Sequence, residues 1–310
     1  MLRYTARRLA AAFFVAFGVT VATFLLLHLA PGDPARVVLG ERASPQALAA
    51  LRHQWGLDSS LGSQFTRYLD GLAHGNLGTS FINKTSTSSL IRDRIGVSAA
   101  LVALATVFAV IITVPLASFA AVRKDRAADH IVRALSVAGI GFPAFWFGIV
   151  LIEVFALRVH AFPVGGWGSS TETHLRSLVL PALTAAFAIV PILVRSLRVG
   201  MIEVFNADFV ATLRSKGLGE RRVLAHVMRN ALIPTLTLLG INVAYLIGST
   251  VVIERVFDLN GLGSLLLTAI SQRDFPVVQS VTLVLAIGVV IVNFLTDVIA
   301  AELDPRIRLE

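Results

Sequence analysis

Cysteine is absent from all 310 residues. Disulfides, thiolate nucleophiles and cysteine-ligated zinc are therefore excluded outright. Charge is scarce as well. Only 15% of residues are Asp, Glu, Lys or Arg, against 55% apolar, and the mean hydropathy is +0.78. That balance is far from a soluble globular protein. A G-x-x-x-x-G-K-[ST] phosphate loop is missing too; Lys216-Gly217 has the residues in reverse order with no strand pattern before it. His53, His74, His160 and His174 show no i, i+4 metal pairing, and no nucleophile stands beside a base. An enzyme is therefore a poor reading, with neither metal nor cofactor expected in this chain.

What is present is apolar sequence in long runs: 9–30, 97–122, 134–157, 178–194, 231–253 and 277–300. About 20 helical residues span a hydrocarbon core of about 30 Å. Strands of a membrane barrel would alternate apolar and polar residues over shorter segments, and these do not. The fold class predicted is an all-α polytopic membrane protein with six transmembrane helices. The fourth run is the shortest and is expected to borrow Arg195 and Arg198, which can snorkel at its end. The first run follows Arg3, Arg7 and Arg8 but is longer than a signal-peptide core. Pro31-Gly32-Asp33-Pro34 offers no small-residue cleavage pattern after it, so residues 1–30 read as a retained first span.

The net charge of +8 is a topology signal rather than a nucleic-acid one. Arg123, Lys124, Arg126 and Arg133 crowd the connection between the second and third runs, and more basic residues lie between the fourth and fifth. Counting short loops places both termini in the cytoplasm and segment 31–95 outside. That segment looks folded. Ser44 before Pro45 has the form of an N-cap, Leu48, Leu51 and Trp55 make one face, and Gly56 can close the helix. Leu61, Phe65, Tyr68 and Leu72 predict a second helix, and 88–94 an amphipathic lead into the second span.

Within the spans, Pro115, the run Gly139, Gly141 and Pro143, then Pro181 and Pro191, and Gly240 and Gly248 are potential breaks. Glu153 and Asp297 are ionisable residues near opposite ends of their spans, which makes a shared proton relay a poor reading. Asn242, Tyr245 and Ser249 follow i, i+3, i+7 spacing and are expected to line a translocation path. Phe142 and Trp146, after the Gly141-Pro143 break, are weaker candidates for the path, helix packing being the simpler role for aromatic residues.

The segment 207–234 is the most informative. Arg214, Lys216, Arg221, Arg222 and Arg229 sit with only Asp208 and Glu220, while Phe209, Leu213, Val223, Leu224, Val227 and Met228 recur at helical spacing. A loop that only reversed the chain would not need this pattern; it is suited to short helices gripped by another protein. Asp208, Phe209, Val210, Thr212, Arg214, Lys216, Gly217 and Leu218, then Val223, His226, Arg229, Asn230, Ala231 and Pro234, resemble the EAA loop of type I ABC importer permeases of the dipeptide and oligopeptide kind. Pro31-Gly32-Asp33-Pro34 after the first span, the run from Glu254 to Leu265 before Arg273-Asp274-Phe275-Pro276, and the tail with Asn293, Asp297 and Leu303-Asp304-Pro305-Arg306-Ile307-Arg308 agree in the same order. There is no glutamate at Ala211, Thr212 and Leu213, where the motif's name would place one, and Gly219 stands where Ser often caps.

The resemblance implies an extracytoplasmic helical segment at 31–95, a transmembrane core at 96–304 with a coupling loop at 200–230, and a cytoplasmic tail at 305–310. It implies a second homologous permease, two ATPase subunits (or one fused) that hold ATP and Mg, and an extracytoplasmic substrate-binding protein, with the lipid bilayer as solvent. The substrate implied is a di- or oligopeptide, although nickel and glutathione importers share the motifs. An ion-gradient-driven secondary transporter is the alternative from another class. ATPase coupling falls to Asp208, Thr212, Arg214, Lys216, Gly217 and Glu220, with Arg221 and Arg222 on the rim and Val223, Leu224 and Val227 buried in an ATPase groove. Gly217 is expected at φ > 0 between two short helices. Glu254, Asp258, Leu259, Asn260 and Gly261 are implied at the binding-protein dock, with 259–263 free to reach into a docked partner.

Overall fold

A computed structural model describes residues 2–29, 32–40, 42–168 and 170–303. Pro31 and residues 304–308 of the motifs above lie outside the described residues, as do the side chains of Arg3, Arg7 and Arg8. Among the described residues, five helices are long and apolar enough to cross a membrane: α1 (Leu2–Leu29), α5 (Thr87–Val122), α8 (Thr171–Phe205), α10 (Glu220–Val256) and α12 (Phe275–Leu303). The sixth expected span, 134–157, is not one straight helix. It is a pair, α6 (Ala127–Gly141) and α7 (Ala144–Leu151), bent by 103° and continued by a π-helical turn at Ile152–Arg158. Pro143 lacks an N–H and pushes Phe142 before it into extended backbone (φ −98°, ψ 133°), which ends α6 there. Pro115, Pro181, Pro191 and Pro234 stay inside unbroken helices.

The short helices follow their caps. In α2 (Pro34–Leu39), Asp33 accepts from the Ala35 N–H and Pro34 opens the first turn. Ser44 caps α3 (Pro45–Trp55) as expected, and Gly56 ends it at φ 68°. Ser60 caps α4 (Leu61–Ala73). α9 (Asp208–Ser215) and α11 (Leu262–Ser271) complete the set.

The chain divides into two compact units. One is built on Ala99–Leu259 and the part of α12 from Val289 onward; the other holds Thr5–Ser98 and Asn260–Gly288. In the first, α6, α7 and α10 all pack on α8. Close approach is set by small residues: a Cβ added at Gly148 on α7 would stand 2.9 Å from Thr184 on α8 and 3.1 Å from the Phe257 ring. Asp129, fully buried at the start of α6, receives both Nε and a terminal nitrogen of Arg198 on α8 and also the Asp125 N–H. Arg198 therefore does not snorkel. It is only 12% exposed and is held inward by a carboxylate, whereas Arg195 is exposed.

In the second unit, Ile91, Leu262, Leu265, Ala269, Val277 and Val281 form a core. Asp274 organises the chain around it. Its carboxylate accepts from the Ser80 hydroxyl, from the Phe81 N–H at 3.0 Å and from the Ile82 N–H at 3.5 Å, across a sequence separation of more than 190 residues. The Ser280 hydroxyl donates to the Leu77 carbonyl beside it, and the Leu262 N–H to the Ser98 hydroxyl. These bonds tie segment 32–95 to residues 260–288, so that segment does not stand as a unit by itself.

Candidate functional site

Segment 208–222 is a helix, a turn and the start of a second helix. α9 closes with the Gly217 N–H on the Arg214 carbonyl (2.9 Å) and the Leu218 N–H on the Leu213 carbonyl (3.2 Å). Gly217 between them has φ +79°, the left-handed geometry expected for it. Arg214 then spans the turn to Glu220 through two bonds of 2.9 and 3.1 Å. Asp208, Thr212, Arg214, Lys216, Gly217, Glu220, Arg221 and Arg222 are all exposed. Their surface is polar and mostly basic.

The apolar stripe behaves differently from expectation. Val223 and Val227 are 0% exposed. They pack with Leu197 and Met201 of α8, Val210 of α9 and Ala117 and Ala121 of α5, while Leu224 is partly buried against the same cluster. They are the chain's own core and offer no face to an ATPase groove. The helical period showed that this face is buried without showing against what. Phe209, 40% exposed, is the large apolar side chain that α9 leaves available. The loop helix is also continuous with the fifth span as α10, so its anchor and the membrane helix form one rigid element. Val223→Glu should therefore prevent accumulation of folded protein, because a carboxylate in a dry core lacks a partner. Arg221→Ala should leave the melting temperature unchanged. Size-exclusion chromatography with thermal melting checks both, and normal folding of the Val223 variant would place the stripe outside the core.

At the other loop, Glu254 and Leu259 are 0% and 1% exposed, and Gly261 and Gly263 are buried. The Leu259 N–H closes on the Glu254 carbonyl at 2.8 Å, and α11 begins directly after Gly261. Glu254, Leu259 and Gly261 are thus shielded from any docking partner, because turn closure and the α11 start draw them inward. Asp258 and Asn260 remain exposed. Asp274, which motif reading left without a role, is the organising residue here. Its only sequence signal was a charged residue beside Phe275-Pro276.

The expected path face divides too. Asn242 is buried and its Nδ2 donates to the Leu238 carbonyl at 2.8 Å; Ser249 is half-buried on the Leu246 carbonyl; Tyr245 is 67% exposed. Asn242 does not line a surface, since packing within the bundle closes over it and its own helix supplies the acceptor. Phe142 and Trp146 are exposed and stacked at 5.1 Å beside the α6–α7 break. Glu153 pairs with Arg158 at 2.9 Å inside the π-helical turn.

The family described as binding-protein-dependent transport system inner membrane component matches residues 113–309, and its N-terminal companion matches residues 1–103. The chain belongs to this family. It is an ABC importer permease, a multi-pass inner-membrane transport subunit. Relatives agree over their whole length: the glutathione transport system permease protein GsiC of Escherichia coli (strain K12), that of Salmonella paratyphi A and that of Shigella dysenteriae serotype 1 are each 35% identical over 309 residues, covering 99% of both chains. ABC importer permeases in general work with ATPase and binding-protein partners.

Proposed function

We propose that this permease is one half of a heterodimeric importer that carries short peptides inward by alternating access, driven by ATPases gripping segment 208–222. A second homologous permease completes the path, and a substrate-binding protein delivers from the side of segment 32–95, with both termini cytoplasmic. The observation that carries the reading is the pairing of an exposed polar handle with a buried anchor. Force applied to Arg221 and Arg222 at the start of α10 passes through Val223 and Val227 to α8, and force on Phe209 enters the same core through Val210 of α9.

Glutathione is itself a tripeptide, and the relatives' names favour it as the specific substrate. Proteoliposomes holding both permeases and the ATPases, supplied with the binding protein, should accumulate labelled di- or tripeptide only with ATP inside. Uptake of glutathione in preference to alanyl peptides would select the second reading. Uptake driven by an ion gradient without ATP would defeat both.

A further inference from the structure

The second unit carries an open cavity of about 700 Å³, inside the range of roughly 300–1,000 Å³ typical of small-molecule sites. Its walls come from α1, α3, α4, the 76–84 turn and the start of α12, all within that unit. One part is apolar and aromatic. Phe24, Leu51 and Phe275 line it, and Trp55 is stacked on Phe81 with centroids 4.2 Å apart.

The charged part carries one sign. Among the described residues, Arg67 and Lys84 reach the cavity and no Asp or Glu lines it. Two acids of the same unit, Asp33 and Asp274, are committed elsewhere. Asp33 is bound by Arg52, and although burial works to raise its carboxyl, the Arg52 hydrogen bond, the Ala35 N–H and the Arg52 and Arg36 charges hold it below the ordinary range. Asp274 is taken by Ser80, Phe81 and Ile82. Gln64 is satisfied within the wall: it donates to the Leu57 and Ser59 carbonyls and meets His28 Nε2 through its Oε1.

Two details mark the wall as shaped at some expense in stability. Lys84 is held at φ 55°, with its N–H on the Ser80 carbonyl, a conformation that non-glycine residues adopt rarely and that concentrates at ligand clamps. Tyr68 keeps a buried hydroxyl that finds no hydrogen-bond partner among the described residues. Burial pushes its phenol up to about 12, so it stays a neutral donor.

We propose that this cavity binds a small amphipathic anion, its head paired with Arg67 and Lys84 and its aromatic or aliphatic body against Trp55, Phe24 and Phe275. Arg67, which also donates to the Ser59 hydroxyl at 3.3 Å, and Lys84 are both exposed at the cavity rim. A neutral apolar ligand would gain nothing from these cations, and a purely ionic one would leave the aromatic wall wet. The site goes beyond the proposed transport path, because none of the residues read as lining that path contributes to it.

Because this chain has no cysteine, Gln54→Cys, in the cavity wall, provides a single labelling position in it. The permease complex with its ATPases is placed in nanodiscs of zwitterionic lipid, with neither ATP nor binding protein. Labelling of this chain by a polar thiol reagent is then followed by mass spectrometry. N-acetylphenylalanine, an anion at neutral pH, should slow labelling saturably, and its neutral C-terminal amide should require about tenfold more to do the same, a difference of about 1.4 kcal/mol. Arg67→Gln with Lys84→Gln should abolish that preference while ATP-driven uptake in proteoliposomes shows the complex intact. The proposal is overturned if neither probe protects, if acid and amide protect equally, if the preference survives in the double variant, or if only the binding protein or an anionic lipid protects. Transport in the same preparation is measured separately, so loss of the transport reading and loss of this site are distinguishable.

Discussion

Gly217→Val should cut ATP-driven uptake by about tenfold or more, equivalent to about 1.4 kcal/mol, while the permease remains folded in the membrane. No atom lies within 4 Å of a Cβ at this position, so a clash is not the cause. The backbone is. At φ +79° a β-branched residue is a genuine outlier, with left-handed geometry costing roughly 1–2 kcal/mol. The turn would relax toward negative φ, swinging α9 away from α10 and parting Arg214 from Glu220. Most of the core beneath would hold, since Val223 and Val227 lie beyond the turn on α10, and of its buried members only Val210 of α9 would be drawn from it. Gly217→Asn, which tolerates the left-handed region, should keep most of the activity. The readouts are ATP hydrolysis stimulated by loaded binding protein and uptake in proteoliposomes, with thermal melting as the folding control. Wild-type rates in the valine variant would remove the turn from the coupling path.

Asp129→Ala should destabilise the permease by about 3–5 kcal/mol, the loss typical when one partner of a buried ion pair is removed. Arg198 would be left 12% exposed without the carboxylate that takes two of its nitrogens, and the Asp125 N–H would lose its acceptor. Asp129→Leu combined with Arg198→Met should recover much of that stability, because an apolar pair of matching volume replaces both desolvated charges. Thermal melting in detergent with urea titration measures the three proteins. Equal losses in the single and double variants would show that the pair does not act as a unit.

The features legible in the sequence were those whose cause is local. Ser44, Pro45 and Gly56 announced α3 because a capping hydroxyl, a missing N–H and a left-handed end act within one helix. Gly217 announced its own turn for the same reason. Long apolar runs announced helices, since an unpaired backbone group in hydrocarbon costs several kcal/mol whatever the neighbours. The α6–α7 break was visible as Pro143, but its 103° bend was not, because the angle depends on what each half packs against.

Residues joined across long separations were misread or overlooked. Arg198 was expected to snorkel at a span end, and its partner Asp129, 69 residues away, was not singled out at all. Asp274 meets Ser80 across 194 residues. The stripe of Val223 and Val227 was recognised as buried and given to another protein, although α8 and α5 cover it. Periodicity reports that a face leaves water, and it is blind to the identity of the cover.

Hydropathy, caps and the glycine turn by themselves determined an all-helical membrane protein with an exposed basic loop, because those signals arise within a few residues of chain. Tertiary structure alone decided that the loop is anchored in its own bundle, that Arg198 points inward, and that Asp274 ties the turn at 80–82 to the start of α12. Those outcomes depend on which helices meet, and a charge or an apolar face acquires its partner only when distant segments pack together.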